Sequence, residues 1–199
     1  MSLMSKAVMP ISVPTGQVFS HRLAVFADED PALQAILSSS LHVIWAVKYS
    51  PTLETRVHYA PSNVFVTFPR PPSNENLTAH GKELQKVRES IMHDHGIGLT
   101  ALYNLVNDPE AGRSWMVNHI REIHATIDQE LVSAYGWEDI PLSHGFHAYH
   151  RMMRFSIGPA ARVKFLDRLL EENLRRAALQ GDVGGLVQDD DVTDELADE

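Results

Sequence analysis

The chain has 199 residues, of which 44% are hydrophobic and none is cysteine, and its formal net charge is −9. This length suffices for one full domain or two small ones, and the lack of cysteine excludes a disulfide framework, a thiolate metal site and a cysteine nucleophile. No apolar run approaches the roughly 18 residues that a membrane span needs. We therefore expect a soluble protein without a membrane partner, and a cytoplasmic location fits.

The acidic charge is concentrated at the carboxyl end of the chain. Without its last eight acidic residues the chain carries 18 acidic and 17 basic side chains, so the rest is close to neutral. A run of like charges with glycine and few apolar side chains cannot bury a core. We expect residues 181–199 to form a disordered tail, whose acidic residues are Asp182, Asp189, Asp190, Asp191, Asp194, Glu195, Asp198 and Glu199.

Residues 6–72 predict a small mixed part of strands and one helix. Short β-branched or aromatic runs bounded by Pro, Gly and Asp predict strands at residues 7–14, 21–27 and 55–61. Asp30 before Pro31 is a typical helix start, and apolar residues at helical spacing extend that helix to about residue 47. They are Leu33, Ile36, Leu37, Leu41 and Ile44. Residues 63–73 alternate apolar side chains and then run into prolines, which we take as a domain boundary.

Residues 73–180 predict a helical, bundle-like domain, so the expected fold class is α+β and mostly α. One helix ends near His95 and Gly96, and a short one runs from a Thr100 cap to Val106. The clearest apolar stripe is Met116, Ile120, Ile123, Ile127 and Leu131, opposite a polar face of Asn118, Arg121, Glu122, Gln129 and Glu130. A last helix begins at Gly158 and Pro159 and ends near Gly181, with an apolar stripe of Val163, Leu166, Leu170 and Leu174.

Several common catalytic motifs do not occur in this sequence. There is no GxxxxGK[ST] loop, no GxGxxG after a strand, no GxSxG elbow and no HExxH. Eleven histidines leave metal binding open. His93 and His95 flank an aspartate, and His144, His147 and His150 would share one side of a helix. No carboxylate has the matching spacing, so histidines at helix ends and in polar interfaces are the commoner explanation.

The segment GIGLTALYNLVNDP, residues 96–109, resembles a catalytic loop at its Asn-Asp-Pro end. The alternative is a structural joint, because Asn107 and Asp108 favour a turn, Pro109 suits the first helical position and Glu110 suits the first turn. We favour the joint, since each residue has a capping role. Tryptophans can stack on bases, but all three lie in or beside apolar helical faces and predict core positions: Trp45, Trp115 and Trp137.

Residues 48–63 form the best candidate for ligand contact. This loop-strand-loop is rich in the donor types that hold phosphates and read base edges. An ordinary polar surface loop has a similar composition, and both interpretations stay open. With one arginine of the proline cluster, the predicted DNA-binding residues are Lys48, Ser50, Thr52, Arg56, His58, Tyr59, Ser62, Asn63 and Arg70.

Four segments in order resemble a known family. They are SSSLHVIWAVKYSPTLETRVHYAPSNVFVTFPRP (38–71), GLTALYNLVNDP (98–109), AYGWEDI (134–140) and RFSIGPAARVKFLDRLLEENLRR (154–176). The series resembles the carboxy-terminal region of MmeI-type restriction-modification proteins and of related DNA adenine methyltransferases of phage-defence systems. The resemblance covers about residues 20–178.

The resemblance implies the last part of a DNA target recognition domain at residues 6–72 and a helical carboxy-terminal domain at 73–180. It implies a non-catalytic fragment that holds no cofactor itself, within a parent that uses S-adenosylmethionine to methylate adenine and in some cases carries a nuclease. Its partners would be duplex DNA, bound weakly, and a methyltransferase core in cis or as a separate subunit. Two alternatives stay open: a helical protein-interaction module that docks on a separate methyltransferase subunit, and a small enzyme that binds metal through histidines.

Overall fold

The structure is a computed structural model that describes residues 1–53, 56–149 and 151–185. Within those ranges the fold is α+β and mostly α, as predicted. A 3-10 helix, Pro109–Arg113, lies between the fifth and sixth α-helices. The α-helices are α1 Pro31–Ser38, α2 Ser40–Tyr49, α3 Pro61–Val64, α4 Glu75–His95, α5 Leu99–Val106, α6 Trp115–Tyr135 and α7 Pro159–Gly185. The strands are β1 Met4–Ser5, β2 Thr52–Leu53, β3 Arg56–His58, β4 Gly145–Tyr149 and β5 Met152–Ser156.

The first sheet is antiparallel, with β3 in the middle and β1 and β2 on either side. The prediction of a strand within residues 55–61 is confirmed by β3. The strands predicted at 7–14 and 21–27 are wrong. Residues 7–14 form no regular element, because Pro10 and Pro14 have no N–H to donate to a ladder. Residues 21–27 contribute one bridge, Ser2 to Leu23, beside the amino terminus.

The predicted single helix from residue 31 is two helices that meet at Ser39. Its backbone is extended, with φ −69° and ψ 155°. The Ser39 hydroxyl donates to the Ile36 carbonyl at 2.7 Å and accepts from the His42 amide at 3.1 Å. One serine thereby closes α1 and caps α2. Nor do residues 63–73 begin with a strand, because α3 and a turn occupy residues 61–67.

The three helices predicted between residues 75 and 135 are confirmed. Gly96 and Gly136 end α4 and α6 in the left-handed conformation, with φ of 59° and 70°. Gly98, rather than Thr100, is the residue that precedes α5. Gly81 allows α4 to approach α1 closely, because a Cβ at this position would overlap the Pro31 carbonyl.

Two helical faces differ from the prediction. Arg121, expected on the polar face of α6, is 5% exposed because it donates to backbone carbonyls at the end of α5. In α7 the buried apolar residues are Ala161, Phe165 and Leu169, while most of the predicted stripe faces outward, with exposed fractions of 62% for Val163, 39% for Leu170 and 59% for Leu174. This helix also continues past the predicted end at Gly181 to Gly185.

One hydrophobic cluster contains residues from both sides of residue 72, from Met9 to Leu169. The helices of the first part therefore pack on those of the second part, and the division at residues 72–73 stays a prediction. The predicted tail lies outside the described residues from residue 186 onward, whereas residues 181–185 belong to α7.

Candidate nucleic-acid interface

The outer face of the first sheet places two predicted DNA-binding residues side by side. Successive residues of a strand point to opposite faces, and in β3 the central Val57 is buried while Arg56 and His58 are exposed. Met4 pairs with His58 across the sheet and is also exposed. This outer face combines cationic and apolar side chains on a backbone that hydrogen bonds hold in place.

The other predicted residues divide into exposed and buried positions. Lys48, in the last turn of α2, is exposed, and so are Ser62 and Asn63 at the start of α3. The Ser62 hydroxyl donates to Asn63 Oδ1 at 3.1 Å. Thr52 lies in β2. Ser50 is only 8% exposed and follows the end of α2, so its hydroxyl is not on the surface.

Tyr59 is buried, which corrects its prediction as a DNA-contacting residue. Only 2% of Tyr59 is exposed, and its hydroxyl donates to His42 Nε2 at 3.0 Å. The opposite ring nitrogen of His42 donates to the Leu37 carbonyl at 2.8 Å. Burial raises the pKa of Tyr59 and lowers the pKa of His42 to about 4. The pair is a neutral hydrogen-bonded element of the core.

Arg70 lies at the rim of an open cleft of about 710 Å³. Its guanidinium stands over the Phe65 ring, 4.3 Å from the centroid, and its carbonyl accepts from Arg176 Nη1 at 2.7 Å. Asp28 and Asp30 line the same cleft. The cleft is therefore mixed in charge, and Arg70 lies in this cleft rather than on the outer face of the first sheet.

The histidines expected to share one side of a helix lie in and before a β-hairpin. His144 precedes β4, His147 lies within it, and His150 falls outside the described residues. The Nε2 of His147 donates to the Ser143 carbonyl at 3.2 Å. In the described ranges, no three His, Asp or Glu side chains are grouped so that they could hold a metal ion. The helical geometry behind the histidine-metal hypothesis is wrong for this segment.

The Asn-Asp-Pro turn has structural contacts at each position. Asn107 Nδ2 donates to the Tyr103 carbonyl at 2.8 Å, and Asn107 Oδ1 accepts from the Phe155 amide at 3.1 Å. Asp108 Oδ1 accepts from the Glu110 amide at 2.9 Å and caps the 3-10 helix. The turn therefore joins α5 to β5 and to the next helix, as the capping pattern predicts.

Sequence reasoning missed a buried polar network between α4, α5 and α6. Arg88, with no exposed surface, donates to the Tyr103 hydroxyl, which in turn donates to His124 Nε2 at 2.6 Å. Burial lowers the pKa of His124 to about 3 and raises the pKa of Tyr103. Nearby, Asp128 accepts from His144 Nε2 at 2.9 Å and from the Ser40 amide at 2.7 Å. The sequence does contain an indication of this network, because these charged residues occur within the apolar stripes of their helices.

Of the three tryptophans, one contradicts the core prediction. Trp45 is 2% exposed, and its Nε1 donates to Thr67 Oγ1 at 3.1 Å. Trp137 stacks on Tyr135 with ring centroids 4.2 Å apart. Trp115, at the first position of α6, is 73% exposed. The start of a helix has no preceding turn to cover its side chain, which explains the difference.

Comparison with known proteins gave one structural similarity. The chain is similar to the type IIL restriction-modification enzyme MmeI, solved in complex with DNA, with 22% sequence identity and a TM-score of 0.49. The similarity covers 76% of this chain and 17% of the MmeI chain. No protein-family model and no curated protein matches the sequence. In the described ranges, no helix has the length and apolar character needed to cross a membrane.

Proposed function

We propose that this chain is a non-catalytic DNA-recognition and scaffold part of a restriction-modification or phage-defence DNA methyltransferase. The observation that carries the proposal is the exposed pair Arg56 and His58 on the middle strand of the first sheet. The ordered series of four sequence motifs supports the same conclusion. Side chains on a sheet face keep a fixed spacing, which suits contact with the regular phosphates of a duplex.

The chemistry of this face fits a polyanion. An arginine guanidinium binds a phosphate or a guanine edge through two parallel hydrogen bonds. Lys48 adds a second exposed cation just before the sheet, and the described carboxylates form no ion pair with Lys48 or Arg56. The hydroxyl of Ser62 and the amide of Asn63 follow in the same stretch as neutral donors. Each neutralised phosphate releases counterions, so binding must weaken as salt rises.

The proposal assigns catalysis and cofactor binding to another part of the machine. A methyltransferase core, in cis or as a separate subunit, would bind S-adenosylmethionine and modify the adenine. The present chain would position that core on the duplex. Its low affinity for DNA on its own is part of the proposal, since two or three phosphate contacts contribute little at physiological salt.

Fluorescence anisotropy with a labelled duplex tests the DNA contact. The double variant Lys48→Ala with Arg56→Ala should reduce the slope of log affinity against log salt by about two phosphate contacts. The control is Lys82→Ala with Lys86→Ala, which removes two exposed cations of α4 and the same net charge. An equal loss in both double variants would mean a general charge effect. No binding by the parent chain at about 20 mM salt would contradict the proposal.

A second candidate, docking on a methyltransferase subunit, is favoured by apolar side chains at the same sheet. Met4, Leu23 and Val25 are 43%, 38% and 55% exposed. An exposed apolar patch on a small sheet is typical of a protein interface. In this case Leu23→Ser with Val25→Ser should abolish binding to a purified methyltransferase core, while Lys48→Ala with Arg56→Ala should preserve it. Loss of core binding in Lys48→Ala with Arg56→Ala would instead assign these cations to a protein interface and count against the DNA contact.

A further inference from the structure

The described part of the chain buries more cations than anions. Arg88, Arg121, Arg154 and Arg162 have exposed fractions of 0%, 5%, 6% and 8%, and Asp128, at 1%, is the single buried carboxylate in the described ranges. Asp128 accepts from His144 rather than from an arginine. A guanidinium stays protonated in a protein, and a buried charge normally has a counter-charge or a full set of hydrogen bonds.

Three of the four arginines have a local explanation. Arg121 donates to the carbonyls of Leu105, Val106 and Asp108 at 3.2, 3.0 and 2.7 Å, at the carboxyl end of α5. That end of a helix carries partial negative charge. The guanidinium of Arg162 lies over the Tyr149 ring, 4.2 Å from its centroid. Arg88 donates to the Pro10 carbonyl at 2.8 Å and to the hydroxyls of Ser38 and Tyr103. Arg154 donates to one backbone carbonyl, that of Lys6, and has the least compensation of the four.

A cavity with a volume of about 60 Å³ lies beside Arg154. Arg154 lines it directly, and its Nε is buried with no hydrogen-bond acceptor among the described residues. Arg88 donates to the hydroxyls of Ser38 and Tyr103, which both line the cavity. We call this space the Arg154 cavity.

We propose that the Arg154 cavity binds a small monovalent anion of the size of chloride. The Arg154 guanidinium would supply charge and an N–H donor, and the Ser40 hydroxyl, which accepts from Ser156 Oγ at 3.4 Å, would supply a neutral donor. Asp128 lines the cavity too, but its carboxylate already accepts from His144 and from the Ser40 amide. The volume exceeds the space of one water and is far below the roughly 300 Å³ of a typical metabolite pocket.

The anion would connect the hairpin to the helices. Of the residues that line the cavity, Arg154 and Ser156 come from β5 and Ser40 comes from the start of α2. A single buried charge between these elements would hold the hairpin against the helical part of the fold. Binding would therefore stabilise the folded state, because the unfolded chain has no such cavity.

Thermal unfolding of the full chain tests this. Sodium chloride is compared with sodium gluconate at equal sodium concentration, since gluconate is too large for the cavity. Chloride should raise Tm saturably, by about 3–6 °C at a tenfold excess over its Kd. Arg154→Met should lose this difference between the two salts, and Arg168→Met, which removes a surface arginine paired with Asp139, should keep it. Equal Tm curves in both salts would overturn the proposal.

If Arg154→Met does not fold, a second measurement tests whether the Arg154 cavity binds an anion. A crystal of the unmodified chain grown with sodium bromide should show an anomalous scattering peak inside the Arg154 cavity, within hydrogen-bond distance of Arg154. A cavity filled by water alone at high bromide concentration would overturn the proposal.

Discussion

Asn107 and Phe155 are joined by a hydrogen bond from the Phe155 amide to Asn107 Oδ1, with a length of 3.1 Å. This bond ties the turn after α5 to a strand that lies 48 residues later in the sequence. The other end of the same side chain donates to the Tyr103 carbonyl. One amide thereby ends a helix and holds a hairpin, which is why a segment that resembles a catalytic loop is structural.

The first prediction concerns this amide. Asn107→Ala should lower the free energy of unfolding by about 1–3 kcal/mol, because a partly buried N–H and a carbonyl lose their partner together. Asn104→Ala is the matched control, since Asn104 is exposed on α5 and should cost under about 0.5 kcal/mol. Chemical denaturation of both variants measures the difference. Equal effects would mean that the bond to Phe155 contributes nothing.

The second prediction compares two apolar stripes. Ile123 and Ile127 on α6 are 4% and 0% exposed, and truncation of either to alanine should cost about 2–5 kcal/mol. Val163 on α7 is 62% exposed, and Val163→Ala should cost under about 0.5 kcal/mol. The midpoints of urea unfolding provide the test, provided that the dependence of unfolding free energy on urea concentration is the same in all variants. A large effect at Val163 would show that the outer face of α7 is covered in solution.

These stripes show what the sequence could and could not predict about the fold. In α6 only one face has apolar residues at helical spacing, so the buried side follows from the pattern. In α7 two sets have that spacing, the predicted one and the set of Ala161, Phe165 and Leu169. Which set is buried depends on the position of α2, which packs on this helix. Local periodicity contains no information about that partner.

The candidate site was partly predictable for a similar reason. Once β3 is recognised, alternation places Arg56 and His58 on one face and Val57 and Tyr59 on the other. The burial of Tyr59 therefore follows from the pattern. The burial of Arg88 and Arg121 does not, because their neutralisation depends on carbonyls and hydroxyls from distant segments.

The third prediction concerns pH. His42 is buried, and desolvation lowers its pKa from 6.5 to about 4. At neutral pH both the folded and the unfolded states hold this histidine uncharged. As pH falls from about 6.5 to about 4, the unfolded state gains a proton that the folded state does not bind, so stability decreases in this window. The expected loss is roughly 3 kcal/mol, at about 1.4 kcal/mol for each pKa unit.

Replacement of His42 tests whether its titration causes this decrease in stability. His42→Gln can still donate to the Leu37 carbonyl, and it should flatten the decrease in stability between about pH 6.5 and 4. The matched control is His58→Gln at an exposed position of β3, which should leave the pH profile unchanged. Since the pKa of His124 is lowered to about 3, part of the slope should persist in His42→Gln. A profile that does not change in His42→Gln would contradict the assignment.

The last prediction compares a buried hydrogen-bonded pair with an ion pair on the surface. Asp128 is 1% exposed and accepts from His144 at 2.9 Å and from the Ser40 amide, which lies at the start of α2. Asp128→Asn keeps the size but loses the negative charge and one acceptor oxygen. The His144 ring and the Ser40 amide then compete for one remaining oxygen. Loss of an acceptor for a buried donor typically costs about 1–3 kcal/mol.

The control for this variant is Asp139→Asn, which breaks the pair with Arg168 on the surface. The Asp139 side chain is 63% exposed, and solvent screens such pairs so strongly that Tm should stay close to that of the parent chain. Differential scanning calorimetry at neutral pH compares the two variants directly. Asp128 connects α6, the start of α2 and the residue before β4, so its loss should also loosen the hairpin. Hydrogen exchange should then accelerate in β4 and β5 more than in α4, and a uniform acceleration would show that Asp128 supports the whole fold rather than the hairpin.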